Sequence, residues 1–164
     1  LWGEPMNVAM GVYGFWEECL PCFIGCIGFA IIFNIHGPGM ILCALGGILA
    51  WAVYRISLYL GTTDIAAYFF SCAVAAIYSE VMARIRKYPA IGYLLVSIFP
   101  LLPGAGVYYT MHYAVKGEMS RFAEQGMHTI SIAGIMAVAI LLVSTIVRMW
   151  TDYKNKRQKR TPLG

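Results

Sequence analysis

Charge is what this chain has least of. Asp, Glu, Lys and Arg make up 12% of its 164 residues, about half the share found in a soluble domain. So few charges cannot cover a water-exposed surface, and with 60% hydrophobic residues and a mean hydropathy of +0.68 the chain is expected to be a polytopic membrane protein. Other absences narrow the function. There is no HExxH, no GxSxG and no Walker loop, so no catalytic site has visible parts and no cofactor is expected. Five cysteines, an odd number in an apolar chain, do not suggest a disulfide framework. No positively charged stretch precedes the first apolar run and no Ala-x-Ala-like cleavage site follows it, so no signal peptide is expected. The chain opens on Leu1, and its true start is expected upstream. Without an internal repeat or a dividing linker, it reads as one transmembrane domain over 15–150. An N-terminal interfacial segment (1–14) and a basic tail (151–164) flank it.

What is present is a set of long apolar runs. A crossing needs about 20 apolar residues to span roughly 30 Å of hydrocarbon. Five segments qualify: Phe15 to Asn34, Met40 to Leu58, Ile65 to Met82, an interrupted run over 91–115, and Met127 to Val147. The predicted fold is therefore all-α with about five transmembrane helices. Basic residues cluster at Arg84, Arg86 and Lys87, and again at Arg148 and Lys154 through Arg160. An even number of crossings separates the two clusters, so both can face the cytoplasm, as basic loops do. That orientation puts the C-terminus inside. The N-terminus, the turn near Gly61 and a loop carrying Lys116, Glu118, Arg121 and Glu124 lie outside. The tail beyond Tyr153 is expected to be disordered or held against anionic headgroups. Nothing folded and basic stands beside it, so no nucleic-acid partner is expected. An inverted-repeat carrier needs a second half of opposite orientation, so an odd number of spans suggests half a machine.

The interrupted run holds the most informative residues. Pro100, Pro103 and Gly104 lie near its centre, where proline removes a donor and deprives the carbonyls of Val96 and Phe99 of their helical partners. Non-helical backbone at membrane depth survives where protein buries it or where it lines a polar cavity, and discontinuous helices of this kind form transporter substrate sites. A second half-helix starting near Pro103 would aim the N–H groups of Gly104 to Val107 at the membrane centre. Such an array of donors suits a carboxylate. Gly104 and Gly106 would admit a ligand close to the backbone, and Tyr108 and Tyr109 would add hydroxyls. The competing reading is a proline kink that only shapes packing.

Other polar residues carry paired readings. Ala67, Ser71, Ala75 and Ser79 recur every four positions, a small-residue seam for helix packing, with Ser79 beside Glu80. Glu80 either forms an intrahelical ion pair with Arg84 or takes up and releases a coupling proton. Arg55 can snorkel outward, pair with Asp64 or attract an anion. Asn34 can bond the opened backbone or cap its helix beside Gly37 and Pro38. Cys19, Cys22 and Cys26 share a helical face. As His36, His112 and His128 sit at no metal-site spacing, packing is the better reading and no metal is expected.

These residues also carry a resemblance. Tyr78-Ser-Glu-Val-Met-Ala-Arg84, then Tyr88-Pro89-Ala90, then Phe99-Pro-Leu-Leu-Pro-Gly104 with Tyr108 following, resemble the C-terminal half of the threonine/serine exporter family; so does Gly28-Phe-Ala-Ile-Ile-Phe-Asn34. The resemblance runs from about residue 20 to 148. It implies a small split subunit in the bacterial cytoplasmic membrane that exports threonine and serine, or dicarboxylates such as succinate, driven by protons. The implied partner is a larger N-terminal-half subunit, making a hetero-oligomer. Pro100, Pro103 and Gly104 match the family signature, with Asn34, Ser79, Glu80 and Arg84 as weaker matches. The alternative is a membrane scaffold or assembly subunit that does not itself bind substrate.

Overall fold

The computed structural model of the chain describes residues 12–35, 37–87 and 89–159. Most of the segment expected at the interface (1–14) therefore lies outside the described residues, as do His36 and Tyr88. Six α-helices follow one another: α1 (Val12–Ile32), α2 (Pro38–Tyr59), α3 (Asp64–Arg86), α4 (Ala90–Ile98), α5 (Gly104–Lys116) and α6 (Met119–Lys159). A 3₁₀ turn, Phe99–Leu101, follows α4, and no strand occurs among the described residues.

The corners have local causes. α1, α2 and α5 end in left-handed residues, Asn34 (φ 57°), Gly61 (φ 78°) and Gly117 (φ 73°). At each, the next residue's N–H reaches back five positions: Ile35 to Ala30, Thr62 to Ser57, and Glu118 to Tyr113. This double closure of the last helical turn satisfies carbonyls that would otherwise be bare in an apolar setting. Pro38 stands in the first turn of α2, where its missing N–H costs nothing.

α2 is the hub. It packs on α1, α3 and α4, while α3 also packs on α4 and α6, and α6 on α5. Close approach is possible because the buried side of α2 is Gly39, Cys43, Ala44, Gly46, Gly47 and Ala50. A Cβ on Gly46 would lie 2.7 Å from the Tyr78 ring, and one on Gly47 would collide with the Cys26 thiol. The α3 seam meets this surface: Ala67, Ser71, Ala75 and Ser79 are all buried, and the Ser71 hydroxyl donates to the Ala50 carbonyl of α2. Small residues thus replace the hydrophobic drive that lipid removes.

Among the described residues, three helices are long and apolar enough to cross a membrane, Pro38–Tyr59, Asp64–Arg86 and Met119–Thr151. A fourth results if Ala90–Leu101 and Gly104–Lys116, bent by 56°, count as one broken span. The apolar part of α1, Cys19–Ile32, is shorter than these. All five expected segments are helical, while length and apolarity qualify three or four of them as crossings. α6 departs from expectation at both ends. Arg121 and Glu124 lie on the helix rather than in a loop, and the helix runs through the basic tail to Lys159 instead of ending near Val147. Lys, Arg and Gln are good helix formers, cations favour a helix C-terminus, and no breaker occurs before Pro162. At 1.5 Å per residue α6 is about 60 Å long, roughly twice the hydrocarbon thickness.

Candidate functional site

The break repairs its carbonyls from two sources. The Val96 carbonyl, which Pro100 cannot serve, accepts from the Phe99 N–H and from the Cys26 thiol of α1 at 3.5 Å. The Phe99 carbonyl, which Pro103 cannot serve, accepts from the Leu102 N–H at 3.2 Å. Packing fixes the turn. Leu101 is buried among Ala50, Cys72 and Ile132, and the Phe99 ring lies 3.8 Å from that of Phe29. Pro100 is half-buried within the turn.

The donors at the start of α5 number fewer than the sequence suggests. Pro103 (φ −76°, ψ 52°) sits at the centre of an inverse γ-turn in which Gly104 N–H donates to the Leu102 carbonyl at 2.7 Å. Val107 N–H donates to the Pro103 carbonyl at 3.0 Å. This leaves the N–H groups of Ala105 and Gly106 with no backbone or capping acceptor among the described residues. The two glycines also divide. A Cβ on Gly104 would meet nothing within 4 Å, whereas one on Gly106 would lie 2.6 Å from Thr129 Oγ1 of α6. Gly104 is open to approach; Gly106 lets α5 sit against α6. Tyr108 is exposed, with its ring 5.3 Å from that of Tyr109 and 6.1 Å from His112.

The second group of predicted residues faces α6. Glu80 and Arg84 lie 3.8 Å apart on successive turns of α3, both partly exposed. They line a cleft of about 760 Å³ with Ser144, Thr145, Arg148 and Thr151 of α6. A smaller cavity, about 240 Å³, continues past Ser79 and Glu80 to Ala90, Ile91 and Leu94 of α4. Ser79 is buried and donates to the Ala75 carbonyl at 2.8 Å. Arg148, read from the sequence only as an orienting charge, thus joins Arg84. Neither cavity is lined by Pro100, Pro103, Gly104 or Gly106, so the two predicted groups do not share one space. Asn34 caps α1 and is exposed, and Arg55 is partly buried on α2.

Three features escaped sequence reasoning. The Cys26 thiol bonds the broken helix. Ser97, fully buried one turn before Pro100 and packed at Gly46, has no hydrogen-bond partner for its hydroxyl among the described residues. At the opposite end of α3 from Glu80, Asp64 meets Tyr54 of α2 at 2.7 Å and His128 of α6 at 3.4 Å. No local spacing could have joined residues 64 and 128. The only signal was an acid at a helix start and a histidine in an apolar run.

Comparison with known families finds a match. Residues 18–146 match a family model described as Threonine/Serine exporter, ThrE. No curated protein and no solved structure matches the chain.

Proposed function

Because the chain belongs to the threonine/serine exporter family, an exporter rather than an enzyme family, we propose that it is one subunit of a proton-driven secondary exporter. Its substrates are small carboxylate-bearing metabolites, threonine and serine or a dicarboxylate such as succinate. It acts in the bacterial cytoplasmic membrane with five crossings and a cytoplasmic C-terminus. The observation that carries this reading is the break. Two unpaired backbone donors, Ala105 and Gly106, stand at a helix N-terminus beside the open face of Gly104, in the middle of an apolar segment. Unmet N–H groups at such depth are costly, and a substrate carboxylate would satisfy both while the helix dipole favours its charge. Pro100 and Pro103 hold that geometry, and Tyr108 supplies a hydroxyl one turn further along α5. The cleft of Glu80, Arg84 and Arg148 is the vestibule on the cytoplasmic side, with Ser79 as a supporting polar group and Glu80 the carboxylate that releases the coupling proton; Arg55, near the other end of α2, would draw the anion from outside.

A partner fits the surface of α5, which buries none of its residues within this chain. The partner in this reading is the N-terminal-half subunit. The same exposed helix also favours a second reading, a scaffold that holds a substrate-binding partner.

Counterflow of radiolabelled threonine, serine and succinate in proteoliposomes separates the two. Transport with the partner, lost in P100A/P103A while the complex still assembles, is the result expected of a carrier. Loss of assembly with transport intact per complex would establish the scaffold.

A further inference from the structure

By position alone Asp64 is an ordinary acidic residue at the start of α3, favoured there by the helix dipole. What converges on it is not ordinary. Tyr54 donates its hydroxyl to Oδ1 at 2.7 Å, and His128 places Nε2 3.4 Å from Oδ2, so each carboxylate oxygen has a partner from a different helix. The Tyr68 ring packs 4.7 Å from that of Tyr54 and completes the wall. Both members of the pair are partly exposed at the protein surface, with side-chain exposures of 38% for Asp64 and 47% for His128. Histidine is the side chain whose charge ordinarily changes between pH 5 and 8, so a carboxylate in contact with it meets a cation in one state and a neutral ring in the other.

Protonation therefore alters an interhelical contact. With a proton on the pair beyond the carboxylate's own charge, imidazolium and carboxylate attract across the α3–α6 seam; without it, a neutral ring faces an anion. The far end of that seam holds the cleft of Glu80, Arg84 and Arg148. One end is tied and the other is open, which is the asymmetry a gated passage has in one of its two states.

We propose that Asp64, His128 and Tyr54 form a proton-binding site at the α2–α3 corner, whose occupancy sets whether α6 is held against α3. The site rests on the exporter reading and deepens it: this is the outer loading point for the coupling proton, and Glu80 is the inner carboxylate. The step moves one proton from outside water to the pair and later to inside water, and no other bond forms or breaks. Other titratable or charged groups on the packed elements include Arg55 and Tyr59 on α2, Tyr68 and Cys72 on α3, and Glu124 one turn before His128 on α6. On α5 they are Tyr108, Tyr109, His112, Tyr113 and Lys116; Arg121 of α6, held by Glu118 at 2.9 Å, lies over the Tyr113 ring.

The test uses the chain reconstituted with its partner. Asp64→Asn and His128→Gln should retain counterflow, which needs no net proton movement, while ΔpH-driven accumulation falls by about tenfold or more. Tyr54→Phe, which removes only the hydroxyl, should keep accumulation but shift its pH profile. Wild-type accumulation and pH dependence in both D64N and H128Q would overturn the proposal. Loss of counterflow together with accumulation in both would also overturn it, assigning the pair a purely structural role. If the wild-type complex shows no counterflow, the exporter reading fails by itself. The site is then read from a double-variant cycle: the losses of melting temperature in D64N and H128Q should not add in D64N/H128Q, and strictly additive losses would overturn the pairing.

Discussion

Gly104 and Gly106 are two residues apart and do different things. Gly104 faces open space, while Gly106 presents its bare Cα to Thr129 of α6. Gly106→Ala should force α5 off α6 and lower stability in detergent by about 1–3 kcal/mol, as overpacking does. Thr129→Ala should restore most of that loss in the double variant, and thermal melting of the purified protein reads both. Gly104→Ala should leave the melting temperature unchanged. If the substrate carboxylate lies against the open face, the same substitution will nevertheless raise the KM for transport. From sequence both positions looked like places for a ligand to approach, because a glycine does not announce what stands in front of it.

At the scale of the element, the broken segment shows how an interrupted helix is made tolerable in an apolar environment. Its carbonyls are served by a 3₁₀ bond and by the Cys26 thiol, and Phe29 and Leu101 pack the turn. Cys26→Ala should therefore cost about 1 kcal/mol or somewhat more, from the lost bond and the space left beside Gly47. Cys26→Ser, which retains a donor, should cost less, and chemical or thermal unfolding of the two variants checks the order. The positions of the prolines made the break legible in advance, and the helices on either side begin and end within a residue or two of where the sequence placed them. The repair was not legible, because it comes from a residue 70 positions away. α6 was misjudged for the opposite reason. Its ends were read from hydropathy, which marks where lipid stops and not where helical hydrogen bonding stops.

For the whole molecule, the proposed orientation rests on charge. Nine of the twelve Lys and Arg residues lie in the two clusters assigned to the cytoplasm. A fluorescent protein that folds only in the cytoplasm, fused after Gly164, should fluoresce. A periplasmic alkaline phosphatase inserted at Gly61 should be active, and the reverse pattern would invert the topology. The proposed orientation would put the Asp64–His128 contact and the Glu80 cleft, which lie at the two ends of one helix pair, on opposite sides of the membrane.

The sequence by itself determined the membrane class, the helical segments, the broken fourth segment and the family. These depend on composition, local hydropathy and residues close together in the chain, where proline and glycine act directly on the backbone. Only the tertiary structure decided which donors at the break stay unpaired, that Arg148 joins Glu80 and Arg84, and that Asp64 meets His128. Those are contacts between helices. They depend on the rotation and spacing of each helix about its neighbours, which the small residues of α2 and α3 permit but no local pattern specifies.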